Sequence, residues 1–141
     1  MARDLPLDFV TVGVTNKEPS ADNFVQWSIL DDGDPEPGDT HWLVVPPGEQ
    51  SGVALRPRRD GIYIASACVC VESGAAFRLS LVKIRPGGER IMIAMDGGAQ
   101  QGNPWGSATT AVHLREDESI AVTVTARPYS PESRFSLARI R

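Results

Sequence analysis

The sequence lacks the features on which membrane insertion, secretion and helix formation depend. No apolar segment approaches the roughly 20 residues of a membrane-spanning helix, and the N-terminal residues lack the apolar core of a signal peptide. No apolar pattern with the helical period of about 3.6 residues persists without a breaker. The net charge of −4 argues against a general nucleic-acid binder. We therefore expect a non-helical protein that is synthesised in the cytoplasm and binds neither membranes nor nucleic acid.

Cysteine is also scarce, and the two that occur are Cys68 and Cys70, two residues apart. Side chains at i and i+2 of a strand are held about 7 Å apart, which is a poor fit for a disulfide between them. A metal pair or a redox site is the functional alternative. The pattern favours small buried hydrophobic residues without reactivity.

The longest nearly continuous apolar run covers residues 61–71 and predicts a buried strand. Strands of antiparallel sheets usually have one polar face. Here one face carries Tyr63, Ala65, Ala67, Val69 and Val71, and the other carries Ile62, Ile64, Ser66, Cys68 and Cys70. Neither face has the polar side chains of a solvated sheet surface, so this strand needs a second covering layer. The simplest source of that layer is another copy of the chain.

Eight to ten short segments of β character follow one another along the chain, separated by turns rich in glycine, proline and acidic residues. This spacing predicts an all-β sandwich or barrel. At 141 residues, without a linker, repeat or low-complexity tract, the chain fits one compact domain.

Four segments in order resemble the globular head of the first complement component and the related tumour necrosis factor (TNF) superfamily. Residues 55–63 carry a proline before Gly61-Ile62-Tyr63, and residues 79–88 carry a Leu-x-Lys pattern before a glycine turn. Residues 110–122 match a strand, an acidic turn and a strand, and residues 133–138 match the closing Ser-x-Phe-Ser strand.

The resemblance implies an all-β, two-sheet antiparallel jelly-roll sandwich over residues 21–141 that assembles as a homotrimer. Residues 1–20 would then form a first strand and an arm that docks on a partner. The chain departs from the family in having no collagen stalk and in carrying Glu116-Asp117-Glu118 where the family has Gly-Asp. We therefore do not carry over the complement or cytokine functions.

The sequence gives no support for an enzyme. His41 and His113 are far apart and each lies among apolar neighbours, no serine stands in a nucleophile elbow, and no cofactor motif occurs. The acidic segment at residues 31–39, with Asp32 and Asp34, has oxygen ligands for calcium. However, Trp42 stands where a calcium loop of the helix–loop–helix type needs glutamate, so a solvated turn is favoured. We expect no catalytic residue, no metal and no cofactor.

Candidate contact residues fall into two groups. Trp105, in a long loop at residues 96–106 with Asn103 and Gln101, is the first candidate for contacting a ligand or partner, together with Asp32 and Asp34. Trp105 could equally pin its own loop. The candidates for the trimer interface are Ile62, Ile64, Cys68, Cys70 and Phe135.

Two functions follow as hypotheses. The first is a trimeric structural protein at the surface of a bacteriophage virion, as a capsid decoration or tail-associated protein, since such a particle leaves its host without secretion signals. The alternative is a carbohydrate- or receptor-binding module that recognises a cell-surface glycan or protein through the loops at residues 31–39 and 96–106.

Overall fold

The computed structural model describes residues 9–16, 23–31, 42–47, 51–72, 77–99 and 104–141, and these residues form ten β-strands. The strands are β1 (Phe9–Asn16), β2 (Gln26–Asp31), β3 (Leu43–Val44), β4 (Ala54–Leu55), β5 (Gly61–Val71), β6 (Phe77–Ile84), β7 (Arg90–Ala99), β8 (Trp105–Leu114), β9 (Ser119–Val124) and β10 (Pro128–Arg139). Within the described ranges, no helix is long and apolar enough to cross a membrane.

The strands make two five-stranded antiparallel sheets packed face to face. Sheet I has the order β2-β1-β10-β5-β8, and sheet II has the order β3-β4-β9-β6-β7. Neighbouring strands in each sheet are mostly distant in sequence, as β10 between β1 and β5 shows. This is the two-sheet antiparallel sandwich that the sequence predicted.

Strand β5 organises sheet I because it pairs along most of its length with β10 on one side and β8 on the other. Its side chains alternate as the sequence predicted, and one face is buried between the sheets. That face consists of Tyr63, Ala65, Ala67, Val69 and Val71, each at most 2% exposed. Opposite them, sheet II contributes Leu79, Leu81, Ile120, Val122 and Val124 to the same core.

Phe135 belongs to this core, so its prediction as a trimer-interface residue is wrong. It lies opposite Ala67 on β10, is 0% exposed, and has its ring centroid 5.5 Å from that of Trp27. A side chain that is already fully buried in one chain has no surface left to bury against another. Its role is the packing of the sandwich.

The outer face of sheet II is covered partly by the chain itself. Phe24 forms a bridge with Thr123 and packs in a second apolar cluster with Ala54 and Ala121 on that face. The guanidinium of Arg90 lies 4.8 Å from the centre of the Phe24 ring. Phe24 therefore covers only part of the outer side of sheet II, where Met92 and Met95 of β7 are 57% and 45% exposed.

The predicted N-terminal segment contains a strand that is part of sheet I. β1 pairs with β10 on one side and β2 on the other. Residues 1–8 and 17–20 lie outside the described residues, and the docking role of the segment stays a prediction.

A buried serine side chain provides a hydrogen-bond acceptor where the pairing of β10 is irregular. The pairing with β5 shifts register between Tyr129 and Arg134, and the backbone N–H of Cys70 there donates to Ser133 Oγ at 3.0 Å. Ser133 is 0% exposed, so water cannot replace this acceptor.

We expect Ser133→Ala to lower the free energy of unfolding by about 1–3 kcal/mol, because it leaves the Cys70 N–H without a partner. Ser119→Ala, at the half-buried start of β9, is the control and should change it by less than about 0.5 kcal/mol. Denaturant unfolding followed by circular dichroism measures both, and equal effects would contradict this role of Ser133.

Candidate functional site

The outer face of sheet I, the side turned away from the core, is built of small and apolar side chains. Side chains of residues directly opposite each other in an antiparallel sheet point to the same side. The pairing register therefore identifies the residues of this face, starting from β5. Its members are Ile62, Ile64, Ser66, Cys68 and Cys70 of β5; Trp105, Ser107, Thr109, Ala111 and His113 of β8; Arg134, Ser136 and Ala138 of β10; and Phe9, Thr11 and Gly13 of β1.

The middle of this outer face is the least polar part. Ile64 lies between Ala111 on β8 and Ala138 on β10. One row further along β5, the hydroxyl groups of Ser66 and Thr109 hydrogen-bond to each other at 2.9 Å, which reduces their need for water. The surface here is flat and low because its side chains are short.

Leu30 of β2 extends the apolar surface at the edge of sheet I. A Cβ atom on Gly13 would lie 3.0 Å from Leu30 Cδ1, so the leucine side chain rests over that glycine on the outer face. Leu30 is nevertheless 54% exposed. The face is thus unusual for a solvated sheet surface.

The two cysteines lie on this outer face, and Cys68 is exposed rather than buried within one chain. The pKa of the Cys70 thiol is raised, mainly by burial of the thiol. The Glu132 carboxylate and Cys68 add to this effect. A raised pKa keeps the thiol protonated and slow to react. No group of three or more His, Cys, Asp or Glu side chains in the described part of the chain is arranged to hold a metal ion.

The structure places Trp105 at the start of β8 rather than inside a long loop. It pairs with Cys70, is half-buried, and lies on the outer face of sheet I. The other predicted ligand contacts, Asn103, Gln101, Asp32 and Asp34, lie outside the described residues. So does His41, whereas His113 is exposed beside Ile62 at the opposite end of the face.

Glu118 is the residue that the sequence interpretation missed. The sequence pattern of Glu116-Asp117-Glu118 is that of an acidic turn, but Glu118 is only 6% exposed. Its carboxylate accepts a hydrogen bond from the backbone N–H of Arg115 at 2.9 Å. The sequence does contain one signal for this contact, because Glu118 follows Arg115 by three residues within a turn between two strands. At this spacing a carboxylate can accept a hydrogen bond from the backbone of its own turn.

Comparison with solved structures supports the fold assignment. The structure of Eiger TNF from S. frugiperda has a TM-score of 0.64 and 15% sequence identity, and the match covers 97% of this chain and 94% of that chain. Murine APRIL at pH 5.0 has a TM-score of 0.64 and 16% identity, with 95% of this chain and 99% of that chain covered. No protein-family model and no curated protein matches the sequence. The chain therefore has the TNF-like jelly-roll fold that the sequence resemblance predicted.

Proposed function

We propose that this protein is a non-enzymatic interaction module that assembles as a homotrimer through the outer face of sheet I. The observation that carries the proposal is the small, apolar outer face of β5 and its neighbours in sheet I. On that face Ile62 and Ile64 are half-buried and Leu30 is 54% exposed, although both faces of β5 are built of apolar or small side chains.

Two further features support self-association. The short side chains of Ala111 and Ala138 beside Ile64 leave a flat surface, and close approach of another backbone needs such a surface. The fold is the one for which the sequence resemblance implies a homotrimer. In a symmetric assembly the same apolar residues of each copy become buried together.

The reactivity of Cys68 tests the proposal. Its thiol is exposed in a single chain and lies on the proposed interface, so we expect the assembled protein to react with a maleimide about tenfold more slowly than a dissociated variant. Lowering the protein concentration until the assembly dissociates should restore the reaction. Full reactivity of Cys68 in the native protein at high concentration would contradict burial of this face.

A binding role is the second candidate, and Trp105 is the residue that favours it. It is a half-buried aromatic side chain on a strand end, and such residues stack on sugars or anchor protein contacts. A glycan array with the purified protein tests this role. Specific sugar binding that Trp105→Ala abolishes would support it, and the absence of any binding would exclude glycan recognition.

The location at a bacteriophage virion surface, as a capsid decoration or tail-associated protein, is a further part of the proposal and follows from the sequence argument above. Mass spectrometry of purified virions that encode the chain tests it. Stoichiometric presence in the particle would support a structural role. Its absence from particles made by cells that express the protein would overturn that role without affecting the trimer.

A further inference from the structure

A pocket of about 400 Å³ lies at one end of the sandwich. The turn between β6 and β7 and the turn between β8 and β9 meet there. The residues that line it are Lys83, Arg85, Pro86, His113, Arg115, Asp117 and Glu118. The volume falls within the range of small-molecule sites. His113 also belongs to the outer face of sheet I, so the pocket adjoins the proposed interface.

The buried Glu118 carboxylate organises the cations of this pocket. Lys83 Nζ lies 3.4 Å and Arg85 Nε lies 3.8 Å from Glu118 Oε2, and the side chains of Lys83 and Glu118 are only 15% and 7% exposed. Lys83 Nζ also donates to the backbone carbonyl of His113 at 3.0 Å, which joins the two sheets. Charges that are this buried persist only when they are paired. Lys83 is therefore held in place before any ligand arrives.

Several donors in the pocket remain unused. An ammonium group has three N–H donors, and the two contacts of Lys83 leave one. Arg85 contacts Glu118 through Nε and Glu89 through Nη1 at 3.3 Å, which leaves Nη2. The guanidinium of Arg115 has no hydrogen bond or ion pair with the part of the chain that the structure describes.

The charge balance of the lining favours an anion. Lys83, Arg85 and Arg115 carry three positive charges, against the negative charges of Glu118 and Asp117. The Glu118 charge is already shared between two of those cations and the Arg115 backbone. Asp117 and Arg115 are both exposed, so water screens both of these charges, and the lining keeps one positive charge in excess.

We propose that this pocket binds a sulfate or phosphate group. The guanidinium groups of Arg85 and Arg115 have the planar donor geometry that oxyanions accept, and Lys83 adds a point charge between the sheets. The pocket is larger than one such ion, and Pro86 supplies an apolar wall. A sulfate or phosphate ester of a monosaccharide therefore fits the site better than the free ion.

Isothermal titration calorimetry of the full chain tests this proposal, with inorganic sulfate, inorganic phosphate, glucose 6-sulfate and glucose 6-phosphate as probes at constant ionic strength. We expect the sugar esters to bind with a Kd of about 1 mM or below and the free ions to bind more weakly. Equal binding of free ions and esters would still support the anion site, and it would show that the protein does not recognise the sugar.

Arg115→Gln is the test variant, because its side chain is exposed and its removal leaves the Glu118 network intact. We expect it to weaken binding about tenfold, the loss of one charged hydrogen bond. Arg78→Gln is the matched control, since Arg78 is exposed near the other end of β6. No binding of any probe at about 10 mM, or equal weakening by the two variants, would overturn the proposal.

Discussion

Ile64→Arg is expected to convert the assembled protein into a folded monomer. Ile64 is the central apolar side chain of the outer face of sheet I, between Ala111 and Ala138. In a homotrimer the substitution occurs three times, and each arginine would lose water without gaining a partner charge. An unpaired buried charge costs about 3–5 kcal/mol, so the combined cost exceeds what an interface of ordinary affinity provides. Light scattering and circular dichroism together measure the mass and the fold.

Met92→Arg is the matched control for this experiment. Met92 is 57% exposed on β7 in sheet II, so the same change of an apolar side chain to arginine occurs there on the opposite side of the sandwich. We expect this variant to keep the native mass. Dissociation by both variants would show that added charge, rather than the position of Ile64, weakens the assembly.

Ala67→Arg is expected to prevent folding at ambient temperature. Ala67 is 1% exposed in the core and lies opposite Phe135 on β10 and Ala108 on β8. An arginine there would place a charge between the sheets and displace packed side chains. The expected loss of more than about 4 kcal/mol is a large part of the stability of a single domain. The β circular dichroism signal at ambient temperature and a fixed protein concentration measures the folded fraction.

Cys68→Arg is the comparison for Ala67→Arg, because the two positions are neighbours in sequence and face opposite sides of β5. Cys68 is exposed in a single chain, so this variant should retain the β circular dichroism spectrum and lose the assembly. A Cys68→Arg protein that unfolds as readily as Ala67→Arg would contradict the assignment of the two faces.

The faces of β5 could be predicted from the sequence, whereas those of β10 could not. The side chains of residues 61–71 alternate between the two faces of the strand without interruption. The face of each residue therefore follows from its position in the run. In β10 the register shifts between Tyr129 and Arg134. A shift of this kind reverses which side later residues face, and the spacing of residues alone does not reveal it. The sequence pattern of β10 therefore did not fix the side that Phe135 faces.

The pocket could not be predicted because its parts come from separate turns. Lys83 and Glu118 are distant in sequence and meet only because β6 pairs with β9, with Lys83 opposite Ile120. The acidic turn by itself has the composition of a solvated surface segment. Only the pairing of strands places its last carboxylate beside two cations. The outer face of β5, by contrast, could be predicted because its five side chains alternate along a single strand.

The mass of the native protein in solution tests the central claim most directly. Light scattering coupled to size-exclusion chromatography at micromolar protomer concentration should give three times the chain mass of 15.2 kDa. A homotrimer of this mass that Ile64→Arg dissociates would support burial of the outer face of sheet I. A folded native protein with a mass of 15.2 kDa at the same concentration would contradict it.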